Sequence, residues 1–103
     1  MDIIDINEIK ADEKFRPHRV IQQDEVQVVI LPFKPGQGLK THTTPVDVFF
    51  YVIKGTAEIT VGDDVKQVVE GNIILSPKDI PHNVRNTSNV ETKVMVVKTP
   101  NPK

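Results

Sequence analysis

Two short segments of this 103-residue chain carry most of the side chains able to do chemistry. The first, Pro35–Gly55, holds His42, Thr44, Asp47 and Tyr51; the second, Gly71–Asn86, holds His82. There is no cysteine, so disulfides, thiolate metal sites and cysteine nucleophiles are excluded. Three histidines, the carboxylates and one tyrosine remain as reactive groups. Imidazoles with a carboxylate can hold a divalent metal and leave positions open for substrate. The same groups can instead hydrogen-bond an organic molecule in an apolar pocket. The third histidine, His18, sits in the basic stretch Phe15-Arg16-Pro17-His18-Arg19 and reads as an exposed loop residue.

The elements that must position these groups are strands. Val and Ile dominate the apolar residues, in short runs punctuated by Gly, Pro, Asn and Asp. The pattern predicts strands over Glu25–Leu31, Val46–Ile53, Ala57–Val61, Val65–Val69, Asn72–Leu75 and Thr92–Lys98. Shorter strands are expected at Arg19–Gln22, Leu39–Thr43 and His82–Arg85, whereas Ile3–Ile9 fits either a strand or one helical turn. Gly62-Asp63-Asp64, Glu70-Gly71 and Thr87-Ser88-Asn89 supply turns. Many short strands with no amphipathic helix between them imply an all-β sandwich or barrel.

Val46–Ile53 is apolar on both faces: Val48, Phe50 and Val52 on one, Phe49, Tyr51 and Ile53 on the other. One face lines the interior, and the other needs cover. A homodimer is the expected cover, with a loop or the N-terminal segment as the alternative. This register turns Tyr51 away from the interior, so no residue is assigned a catalytic role.

The two histidine segments together resemble the paired motifs of the cupin family. In the first motif, Gly36, His42 and Gly55 occupy family positions. In the second, Gly71, Pro77, His82 and Asn86 do, with Asp79 in place of a glycine. The resemblance implies a small single-domain β-barrel of the double-stranded β-helix, or jelly-roll, type. It also implies an interior pocket in which His42 and His82 meet. In the family, two histidines and a glutamate of the first motif and the histidine of the second hold one divalent metal. Here the second histidine position is Thr44 and the glutamate position is Val48, with Asp47 one residue earlier.

Three readings follow from that comparison. Fe, Mn, Ni or Zn is held by His42, His82 and Asp47, if a bulge near Pro45 turns Asp47 inward. Alternatively, no metal binds firmly and His42, Thr44, Val48, Phe50 and His82 form a pocket for a small organic molecule. In the third reading, both histidines are structural. The corresponding functions are metal-dependent chemistry of oxygenase or isomerase type, or a metabolite-binding or sensing module that breaks no bond.

Length and charge bound the rest. One domain spanning residues 1–103 is expected, with an N-terminal arm and loop over 1–18 and a loose tail over 99–103. A net charge of −1 offers no electrostatic footprint for nucleic acid. No apolar run approaches the ~20 residues that span a bilayer, and no signal-like segment opens the chain, so a cytoplasmic protein without membrane contact is expected.

Overall fold

A computed structural model describes all residues, 1–103. Eight strands follow one 3₁₀ turn (Ile6–Glu8): β1 His18–Gln22, β2 Gln27–Phe33, β3 Asp47–Lys54, β4 Thr56–Val61, β5 Asp64–Val69, β6 Ile73–Ser76, β7 His82–Arg85 and β8 Thr92–Thr99. They form a five-stranded sheet in the order β1-β2-β8-β3-β6 and a three-stranded sheet in the order β5-β4-β7. All pairings are antiparallel. No helix is long and apolar enough to cross a membrane.

The period-two alternation in β3 does what its sequence requires. Val48, Phe50 and Val52 are buried, while Phe49, Tyr51 and Ile53 are half-buried on the outer face. The inward residues join Val29, Leu31 and Phe33 of β2, Val94 and Val96 of β8, and Ala57, Ile59, Val68 and Val84 of the smaller sheet in one core. Each large side chain among them contributes about 1.5–3 kcal/mol of transfer free energy.

Turn chemistry fixes the registers. Gly62 at φ +61, followed by Asp63 at negative φ, closes the β4–β5 hairpin where Val61 pairs with Asp64. Glycine first with φ positive only there is the type II′ pattern, whose twist suits a hairpin. Gly55 is held more tightly. Its φ is +83, and an added Cβ would lie 2.5 Å from Thr92 Oγ1 and 2.7 Å from the Glu91 carbonyl.

Three segments differ from what the sequence predicts of them, and the N-terminal stretch takes the helical one of its two expected forms. Residues 39–43 run beside β7 without forming a continuous strand. Bridges join Gly38 to Arg85 and His42 to His82, so the five residues 38–42 face the four residues 82–85 and the ladder breaks. His18 is not in an exposed loop; it is half-buried and begins β1, paired with Ile30. The N-terminal stretch takes a 3₁₀ turn capped by the Asp5 side chain, and the Ile6 carbonyl accepts a 2.8 Å bond from Lys93 Nζ on the outer face of the large sheet. The C-terminal tail is tied to the β1–β2 turn. Asn101 N donates to the Asp24 carbonyl at 3.1 Å, and Lys103 Nζ lies 2.8 Å from the Asp24 carboxylate.

Candidate functional site

His42 and His82 are brought together by backbone. His42 N donates to the His82 carbonyl at 3.1 Å, and His82 N donates to the His42 carbonyl at 2.9 Å. Residues so paired project side chains to one face of the ladder. Their imidazoles meet edge to face, with centroids 4.7 Å apart and planes at 90°. Phe50 packs against His82 in the same manner at 5.4 Å.

The two rings differ in setting. His82 is 2% exposed. Its Nδ1 lies 2.7 Å from Ser76 Oγ. Its Nε2 has only Thr44 Oγ1, at 3.4 Å, a weak contact. Burial above all, then His42 and Lys98, pushes its pKa down to about 4, so the ring is neutral at pH 7. His42 is exposed, and its Nδ1 lies 2.9 Å from the Lys40 carbonyl. A carbonyl only accepts, so Nδ1 carries the hydrogen and, in the neutral ring, Nε2 keeps its lone pair.

These rings line a cavity of about 160 Å³. Its apolar wall comprises Val29 and Leu31 of β2, Phe50 of β3, Val96 of β8, and Leu39; Pro17, Arg19 and Lys98 complete the lining. Register explains the inward lysine. Lys98 pairs across to Val48 on one side and Gln27 on the other, and shares its face with Val94 and Val96. Arg19 pairs with Val29, which pairs in turn with Val96. Neither cation has an ion-pair or hydrogen-bonding partner, whereas salt bridges elsewhere involve Arg16, Lys66 and Lys103. No carboxylate lines the cavity. Burial, then Arg19, lowers the Lys98 pKa below the usual lysine value.

Of the residues singled out in the sequence, His42, Phe50 and His82 line this cavity; Thr44 and Val48 do not. Thr44 is buried behind His82, and Val48 is part of the core. Asp47 is not brought to the histidines. Strand alternation places it on the face opposite Val48, and its exposed carboxylate accepts a 2.9 Å bond from Lys78 N, anchoring the β6–β7 loop. Arg19 and Lys98 are additions from the structure. Lys98 had a signal, its parity with Val94 and Val96. Arg19 had none, because the register shift between Arg19 and Ile21 spoils the alternation in β1.

The donor set does not fit a firmly held divalent metal. Two imidazoles are half of a four-ligand shell. The remaining family positions offer a valine and a hydroxyl, and the ammonium of Lys98 shares the cavity with no anion to offset it. No group of three or more His, Cys, Asp or Glu side chains is arranged to hold a metal ion.

Comparison with known proteins agrees with the architecture. A family model described as "Cupin domain" matches residues 29–98. Protein SchB of Streptomyces halstedii is 33% identical over 63 residues, which cover 60% of this chain and 46% of that protein. The chain thus spans less than half the length of this curated relative. Among solved structures, the TT1209 protein of Thermus thermophilus superposes with a TM-score of 0.89 at 28% identity, covering 97% of this chain and 98% of that one. A Klebsiella pneumoniae protein with a double-stranded β-helix domain superposes at 0.86 with 24% identity, covering 97% and 90%; this likeness concerns the fold alone.

Proposed function

The chain belongs to the cupin family, and we propose that its barrel binds a small organic molecule through the protein's own groups, without a resident metal. The observation that carries this reading is the cavity itself. Its lining joins an apolar wall to two imidazoles whose Nε2 atoms have no strong protein partner. A mostly apolar pocket with a few convergent polar groups is the usual form of a small-molecule site. Neutral His82 and the lone pair of His42 supply hydrogen bonds that orient a bound molecule.

Thermal melts test this reading. Tag-free protein is melted with a panel of small acids, amides, alcohols and amines, and in parallel with Fe(II), Mn(II), Ni(II) and Zn(II). Members of the panel should raise the melting temperature, as linkage demands of any ligand that binds only the folded state. His82→Gln should lose that rise. A rise with metal alone, abolished in His82→Gln, would overturn the metal-free reading.

We also propose that the chain pairs with a second copy through the outer face of the large sheet. Support comes from β6, an edge strand whose Ile73 and Leu75 are 68% and 64% exposed. They pair in register with half-buried Tyr51 and Phe49, whose other neighbours are Met95 and Val97. With Val97 already buried, the exposed Ile73 and Leu75 and the half-buried Phe49, Tyr51 and Met95 form an apolar surface of the kind that marks protein interfaces.

A further inference from the structure

We infer that the ligand of this pocket is a small organic acid, with its carboxylate held by Arg19 and Lys98 and its aliphatic body against Val29, Leu31 and Val96. The inference rests on the metal-free binding reading above and names the ligand class for that site.

Charge accounting leads there. The cavity contains one guanidinium, one ammonium and two imidazoles, and not one acidic side chain. Lys98 is half-buried, and a cation partly withdrawn from water without a partner is costly; Arg19, exposed on β1, reaches the same cavity. The chain has 14 Asp and Glu residues available elsewhere, yet both cations remain unpaired on the inward side of the sheet. Their placement is set by strand register and not by flexible reach: Arg19 is locked to Val29, and Lys98 to Gln27 and Val48. A planar guanidinium matches a carboxylate with two parallel hydrogen bonds, and an ammonium beside it adds a point charge. The remaining wall is aliphatic and aromatic, which suits a hydrocarbon body and not a fully hydrated inorganic anion. Burial first, and then Arg19, lowers the lysine pKa, which agrees with a half-buried ammonium facing a second cation without an anion between them.

The test uses butyrate, its neutral isostere butyramide, and inorganic phosphate, each titrated into ¹⁵N-labelled full-length protein. Imidazole and backbone signals of His42 and His82 provide the readout. Butyrate should move these signals with a dissociation constant at least ten-fold below those of butyramide and phosphate. Lys98→Met should remove that preference, and Lys98→Arg should retain it. Equal binding of butyrate and butyramide at the histidines would overturn the acid assignment while leaving a small-molecule pocket standing. Phosphate binding as tightly as butyrate would overturn the organic-acid assignment in favour of a bare oxyanion site. No movement of the histidine signals with any of the three would overturn the inference. If the thermal-melt panel also failed, the pocket reading would fall with it.

Discussion

Lowering the pH should weaken this protein through His82 before most carboxylates protonate. In the folded chain the ring is buried beside His42 and Lys98, with a pKa near 4, against 6.5 when free. Between those values the unfolded chain binds a proton that the folded chain refuses, so stability falls as pH falls. The contribution is fully present above the unfolded value and is lost on descending through the folded one. At 1.36 kcal/mol per pKa unit, the whole gap amounts to about 3 kcal/mol. About 2 kcal/mol of this should already be gone between about pH 7.5 and about pH 5, where most carboxylates are still ionised. Urea unfolding monitored by circular dichroism at intervals of half a pH unit measures the slope. An NMR titration of the ring protons assigns it to His82. A flat stability profile across that window, with His82 titrating near 6.5, would refute the burial and charge argument.

Other substitutions probe the frame around the site. Gly55→Ala should cost at least about 2 kcal/mol, because the left-handed backbone disfavours any Cβ and Thr92 and Glu91 occupy the space it needs; urea midpoints measure it, and an unchanged midpoint contradicts the packing there. Lys98→Met should raise the melting temperature while weakening butyrate binding, since it removes an unpaired cation from the interior face; a lower melting temperature would show that the ammonium stabilises the empty barrel. Leu75→Glu should shift the mass measured by light scattering from dimer towards monomer without loss of fold, and a wild-type monomer at high micromolar concentration would dismiss the paired assembly.

The barrel was legible because its signals are local. Alternation in 46–53 marks β3, the Val-rich run at 92–98 marks β8, and His82–Arg85 is the observed β7. The pairing of His42 with His82 came from motif spacing, since no local signal joins residues 40 positions apart. Strand parity also carried information about Asp47: a residue beside inward Val48 points outward unless a bulge intervenes, and here none does. What stayed hidden depends on long-range register. The break between the Gly38 and His42 bridges, the bulge at Val20 and the docking of Asn101 on Asp24 are set by partners distant in sequence. The cationic side of the cavity belongs to the same class. Arg19 and Lys98 lie almost 80 residues apart and meet only because β1, β2 and β8 are neighbours in one sheet.

Imidazole ¹⁵N spectra of tag-free protein, recorded with one equivalent of Zn(II) or Ni(II) and separately with butyrate, address the metal-free carboxylate pocket most directly. The Nε2 signals of His42 and His82 should stay in place with either metal at micromolar concentration and shift with the acid. Joint metal coordination by both Nε2 atoms at that concentration, with no response to butyrate, would contradict the account.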